Sequence, residues 1–143
     1  MNVIPYINFD GKCDEALDFY KKALGAQVDF LMRNDEAPEK PVMPMAPDSA
    51  KKVLHVSFRV GDTIIQGSDG YAGGKPDFQG FTLSINVKDT AEAERVFKSL
   101  TADGGKVNMP LTKTFFSPAF GMCLDKLGMP WMVYVPQAMP AHP

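Results

Sequence analysis

Phe81-Thr82-Leu83-Ser84-Ile85-Asn86-Val87-Lys88-Asp89-Thr90-Ala91-Glu92-Ala93-Glu94-Arg95-Val96-Phe97 contains two periodicities in succession. Phe81, Leu83, Ile85 and Val87 alternate with Thr82, Ser84 and Asn86, the pattern of a half-buried strand. From Asp89 the period changes. Ala93, Val96, Phe97 and Leu100 share one helical face, Glu92 follows Asp89 at capping-box spacing, and Gly104-Gly105 ends the run. A strand therefore feeds a helix within a few residues.

The same order occurs nearer the N-terminus. Ile7-Asn8 and Ile85-Asn86 each begin the run into a helix, and Phe19 and Phe97 follow at the same offset of 78. The first helix is built on Cys13, Ala16, Leu17, Tyr20, Ala23 and Leu24. Asp14 and Glu15 lie at its start, Lys21 and Lys22 at its end, and Gly25 closes it. Leu54, Val56, Phe58 and Val60 alternate with His55, Ser57 and Arg59, which makes another half-buried strand.

A second echo extends the repeat. Val60-Gly61 with Ile64-Ile65 matches Leu127-Gly128 with Trp131-Met132 at an offset of 67. Each half then reads as strand, helix, strand, strand, strand. The expected spans are 3–9, 13–24, 26–33, 53–60 and 63–68, then 80–87, 89–102, 105–113, 117–125 and 129–135. The organisation expected is a single domain over 1–143, with module 1 at about 3–69, module 2 at about 80–135 and a Pro-rich tail at 136–143. A second proline cluster, Pro38–Pro47, reads as a mobile excursion and the tail as frayed.

Composition excludes several classes. Fifteen Lys and Arg against seventeen Asp and Glu give a net charge of −2, so there is no basic field for nucleic acid. Cys13 and Cys123 are too few for a disulfide framework. The opening Met1-Asn2-Val3-Ile4-Pro5-Tyr6 lacks the basic and apolar regions of a signal peptide. The uncharged stretch Leu127–Pro143 is broken by prolines and cannot span a bilayer. A cytoplasmic location is expected, with neither membrane nor nucleic acid as partner. No Gly-rich phosphate loop, nucleophile elbow or dinucleotide fingerprint is present, and no cofactor is expected.

Asn8-Phe9-Asp10-Gly11, Ala16-Leu17-Asp18-Phe19-Tyr20, Leu24-Gly25-Ala26, Gly67-Ser68-Asp69, Gly80-Phe81-Thr82-Leu83 and the stretch from Phe116 through Phe120-Gly121 to Asp125-Lys126-Leu127-Gly128-Met129-Pro130-Trp131 resemble the vicinal oxygen chelate superfamily of glyoxalase I, extradiol dioxygenases and bleomycin-binding proteins. More closely the chain looks like the PhnB-like branch, which bears a demethylubiquinone methyltransferase label. Phe116 stands where that branch usually carries Trp. The resemblance implies an α+β fold in which two βαβββ modules curl their mixed sheets into one cup. It gives the methyltransferase label no support, because the βαβ cofactor fold is missing.

By the same resemblance, metal-dependent members hold their ion on the first and fourth strands of each half. Mapping the strand before Asp89 and the turn Asp125-Lys126-Leu127-Gly128 onto the family, then subtracting 78 and 67, puts Ile4, Ile65, Thr82 and Met132 at those positions. Divalent ions of this class need imidazole or carboxylate donors, so no metal is expected there.

His55, on the polar side of its strand, is the candidate general base. Ser57 and Arg59 share its phase, and Arg59 suits an anionic group. Asp69 reads either as an inward ligand or as turn chemistry in Gly67-Ser68-Asp69-Gly70. Tyr6, Ser84 and Tyr134 take cup-facing phases. Phe116 is the candidate lid, beside a methionine-rich lining that includes Met132. Trp131, Cys13 and Cys123 read as core. The reading that follows is a metal-independent binder of a small, oxygenated or partly aromatic molecule, forming a homodimer. The alternatives are an isomerase, lyase or transferase using His55 as base, and a dimeric scaffold without ligand.

Overall fold

Val56 and Phe58 are buried in a strand where His55, Ser57 and Arg59 stay partly exposed, as their alternation requires. That strand is β3, Val53–Val60, in a computed structural model that describes residues 1–40, 42 and 44–138. The chain forms two units, Met1–Pro76 and Asp77–Pro143. The two expected proline-rich stretches are only partly described: residues 41, 43 and 139–143, within the expected excursion and tail, lie outside the described residues.

The first unit runs β1 (Tyr6–Asn8), α1 (Cys13–Leu24), β2 (Gln27–Arg33), β3 and β4 (Thr63–Ser68), with a 3-10 turn at Asn34–Glu36 after β2. Its sheet order is β1-β4-β3-β2, with β1 parallel to β4 and the other pairs antiparallel. The second unit runs β5 (Leu83–Asn86), α2 (Thr90–Thr101), β6 (Lys106–Thr112), β7 (Phe120–Leu124) and β8 (Pro130–Tyr134). Its order is β5-β8-β7-β6, with β5 parallel to β8. The duplicated βαβββ unit is present in both halves. Among the described residues no helix is long and apolar enough to cross a membrane.

One face of each sheet is closed by its helix. In the first unit Ile7, Phe9, Leu17, Tyr20, Val56, Phe58 and Ile65 are buried, and the Tyr20 and Phe58 rings stack at 6.3 Å. Truncating Phe58 to Ala removes a ring from the centre of this core and costs about 3–5 kcal/mol. In the second unit Ala93, Val96, Phe97, Leu100, Cys123, Trp131 and Val133 are buried. Gly67 permits the close parallel pairing of β1 and β4. A Cβ there would lie 2.6 Å from the Ile7 carbonyl oxygen and 2.9 Å from the Phe9 ring.

The two helices start differently. Asp89 accepts the Glu92 amide at 2.8 Å, as the spacing foretells, while the Glu92 carboxylate accepts the amide of Lys88 at 2.9 Å, one residue before the N-cap rather than that of Asp89 itself. α1 has Lys12 at its N-cap with no side-chain cap of its own. At its other end Gly25 takes φ 68° and returns its N–H to the Lys21 carbonyl at 3.1 Å, closing the helix as the sequence indicates.

Candidate functional site

Strand pairing fixes which side chains share the face away from each helix. Tyr6 lies opposite Gln66 and Ile7 opposite Gly67, while Ser84 lies opposite Met132 and Ile85 opposite Val133. Carrying β1 onto β5 takes Ile7 to Ile85, an offset of 78 as the sequence repeat gives. Carrying β4 onto β8 takes Gly67 to Val133, an offset of 66 rather than 67. Ile65 is therefore the counterpart of buried Trp131 and is itself buried, and Gln66 takes the open-face position expected of Ile65.

The slip comes from the turns. Val60 pairs with Thr63 around a two-residue turn, whereas Leu124 pairs with Pro130 across five residues. Gly61 and Gly128 both take positive φ, but at different steps of unequal turns. Aligning the glycines therefore misaligns the strands behind them by one residue, which exchanges the two faces.

On the open face of the first unit, the Tyr6 hydroxyl is 3.5 Å from His55 Nδ1. The His55 ring lies 5.8 Å from that of Tyr6 and 6.1 Å from that of Phe30. Phe30 reaches this group because β2 shifts register between Val28 and Phe30, so Phe30 pairs with Ser57 and Met32 with His55. Ser57 also faces Gln66 across β4. These residues form a partly exposed aromatic and hydrogen-bonding group. The sequence pattern shows Tyr6, His55 and Ser57, but the bulge that brings in Phe30 leaves no sequence signal.

Arg59, at the end of the same row, is engaged. Its Nε and Nη2 donate to the Asp29 carboxylate at 2.9 and 3.1 Å, and Nη2 donates to Gln27 Oε1 at 3.0 Å. The Asp29 hydrogen bonds raise the guanidinium pKa above its ordinary value. Binding an anionic ligand requires displacing or sharing that carboxylate.

Asp69 lies in the core, 1% exposed. Its Oδ1 accepts the Gly11 and Cys13 amides at 3.0 and 2.8 Å, and its Oδ2 accepts the Val53 amide at 2.7 Å. This carboxylate is the cap that α1 lacks locally, and it also ties the helix to β3 and β4. Of the two readings of Asp69, inward ligand or turn chemistry, these three bonds are of the second kind, since all go to backbone amides.

The second unit concentrates aromatic side chains. Phe116 packs edge-on against Phe115 and Phe120, each at 5.1 Å, and lies roughly parallel to Tyr134 at 6.1 Å. Phe120 and Tyr134 are direct strand partners. The loop bearing Phe116 is held by Thr114, whose hydroxyl accepts the Phe116 and Ser117 amides at 3.3 and 3.0 Å. That turn is why β7 begins at Phe120, three residues later than its expected start. Ser84 and Met132 are partners on this face.

Trp131 turns to the closed side, where its indole N–H donates to Asp125 Oδ2 at 2.9 Å. The other Asp125 oxygen accepts the Leu127 and Met129 amides at 2.9 and 3.0 Å, which orders the long β7–β8 turn. Cys13 and Cys123 are buried. Burial is the largest cause raising both thiol pKa values, with Asp69 and Asp14 adding for Cys13 and Asp125 for Cys123, which is pushed up to about 11.

The four metal positions of the resemblance become Ile4 and Gln66 in the first unit and Thr82 and Met132 in the second. Two apolar or thioether side chains, an amide and a hydroxyl do not fit a hard or borderline divalent ion.

The family model described as 3-demethylubiquinone-9 3-methyltransferase matches residues 1–134. Protein YjdN of Escherichia coli strain K12 is 32% identical over 150 residues, covering 99% of this chain and 100% of YjdN. The crystal structure of protein PA1353 from Pseudomonas aeruginosa superposes with a TM-score of 0.80 at 34% identity, covering 96% of this chain and 99% of that one. The PhnB protein from Bacillus cereus superposes with a TM-score of 0.77 at 26% identity, covering 94% and 99%. At 14% identity and a TM-score of 0.61, a glyoxalase-related enzyme and a glyoxalase/bleomycin resistance/dioxygenase domain share the fold alone. Two repeated βαβββ modules, a match along nearly the whole chain and relatives covered along nearly all of their own length together make this protein a member of the PhnB-like, 3-demethylubiquinone-9 3-methyltransferase family, built on the glyoxalase/bleomycin-resistance α+β fold.

Proposed function

We propose that this chain binds a small, oxygenated or partly aromatic molecule without using a divalent metal at the family's four positions. The observation that carries this reading is the aromatic group of Phe116, Phe120 and Tyr134, standing on the sheet face that α2 leaves open. Such a face offers a flat apolar contact, and Ser84 and Met132 alongside it supply a hydroxyl and an adaptable thioether. In the first unit Tyr6, His55 and Ser57 supply hydrogen-bonding groups. On this reading the two modules act as one domain, in the cytoplasm, where free buried thiols such as Cys13 and Cys123 are ordinary. Exposed Ile4, Phe30, Ile64 and Phe81 supply apolar surface for a homodimer.

A metabolite-library thermal-shift screen tests the proposal. A compound present at 100 times its Kd adds about 2.7 kcal/mol of stability. Phe116→Ala should abolish that shift while leaving the unliganded melting temperature within a few degrees. A full-sized shift in the Phe116→Ala protein would reject the aromatic face as the site.

One observation favours an enzyme as the second reading: Tyr6 lies at Nδ1 of His55, so Nε2 is the nitrogen left to take a substrate proton. If His55 is the base, His55→Ala lowers turnover of the screened ligand by two or more decades. Equal turnover in wild type and variant removes that role.

A further inference from the structure

Met109 pairs directly with Met122, and Met122 pairs directly with Met132. Direct partners lie on one face of a sheet, so β6, β7 and β8 bring three thioethers into a single row across the second unit. The row lies on the face that α2 leaves open: Cys123, Trp131 and Val133, on the opposite phase, are buried. Met109 is 38% exposed, and Met122 and Met132 are half-buried. Nothing in the sequence spacing shows this row, because the register shift between Val107 and Met109 is what brings Met109 level with Met122.

We propose that this row is a binding site for one soft monovalent cation, Cu(I) or Ag(I), held by the sulfurs of Met109, Met122 and Met132. Thioether sulfur is a neutral, polarizable donor that selects such ions over hard divalent ones. Adjacent strands lie about 4.8 Å apart, so the outer two methionines need to lean inward by only part of their length to converge above Met122. Their unbranched, three-torsion side chains allow this. The surroundings agree with a low-charge ion. One adjoining row runs Thr112, Phe120, Tyr134 and Asn86, and the other Lys106, Leu124 and Pro130. Neither row holds a carboxylate to attract a divalent cation, and the aromatic faces of the first favour a cation beside them. Ser84, opposite Met132, adds only a hydroxyl at the end of the thioether row. The site shares Met132 with the small-molecule reading but does not rest on it, because Met109 and Met122 take no part in that reading.

The test uses the full chain labelled with 13C at the methionine methyl groups and titrated with Ag(I) in chloride-free buffer. The nine methionines give separate probes, assigned by single Met→Leu substitutions. The methyl signals of Met109, Met122 and Met132 should move together and saturate at one equivalent. Met122→Leu should weaken binding at least tenfold, and so should Met109→Leu, on the edge strand β6, where a change is least able to disturb folding. Ag(I) taken up by Cys13 and Cys123 while those three methyls stay still would overturn the proposal. So would unchanged affinity in a folded Met109→Leu protein, or shifts that continue to grow past one equivalent.

Discussion

The Asp69 carboxylate accepts the backbone amide of Cys13 at 2.8 Å, across 56 residues of sequence. The same side chain accepts the amides of Gly11 and Val53, so one buried group joins the first turn of α1 to β3 and to the end of β4. Helix α1 is thus capped by a side chain from the far end of the module and not by its own N-cap residue.

Asp69→Ala leaves those buried amides without acceptors. Each unsatisfied buried group costs about 1–3 kcal/mol, so three amides together should cost at least about 3 kcal/mol. Urea unfolding of wild type and variant measures it. A loss under about 1 kcal/mol would show that water or a neighbouring carbonyl replaces the carboxylate.

The strand register separates two adjacent positions. Ile65→Gln puts an amide into the core against α1 and should destabilise by about 2–4 kcal/mol. Gln66→Ile, on the open face, should change stability by no more than about 0.5 kcal/mol. Had the offset of 67 been correct, the two substitutions would exchange these effects, and a paired thermal melt distinguishes the outcomes.

Trp131 is the only tryptophan in the chain, so its emission reports on the second unit. Asp125→Ala removes the acceptor of the indole N–H and of the Leu127 and Met129 amides. A loss of about 2–4 kcal/mol, with a shift in the native emission maximum, is expected. Unaltered emission from the folded variant would argue against the indole–carboxylate bond.

The buried thiols make an alkaline prediction. The Cys123 pKa rises from an ordinary 9.0 to about 11 in the fold, and that of Cys13 rises further. The folded state therefore holds these protons more tightly than the unfolded chain. Their contribution is fully present below pH 9.0 and is lost as pH rises through about 11. At pH 8 a thiol reagent should modify neither cysteine in the native protein and both in urea. Fast native labelling at that pH would contradict the burial of both groups.

Much of the architecture is legible in the residues themselves. Alternation at Val53–Val60, the helical faces of α1 and α2, the Asp89–Glu92 box and Gly25 are local signals, and each yields its element. The site is less legible. Asp69 looks like a turn residue or an inward ligand, and only its distance to three amides reveals a cap. Arg59 looks like an anion anchor until Asp29 is found beside it. Phe30 and Met109 carry no open-face signal, because a bulge resets the phase of their strands.

Sequence by itself determined that two βαβββ units follow one another, because periodicity and caps act over a few residues and are written in order along the chain. It also determined that the four metal positions lack a divalent donor set, since neither Ile65 nor Gln66 supplies imidazole or carboxylate. Only the tertiary structure decided which of those two faces outward, what Asp69 holds, and that Met109, Met122 and Met132 form a row. Those outcomes depend on pairing register, and a single residue gained or lost in a turn or bulge moves every following side chain to the other face.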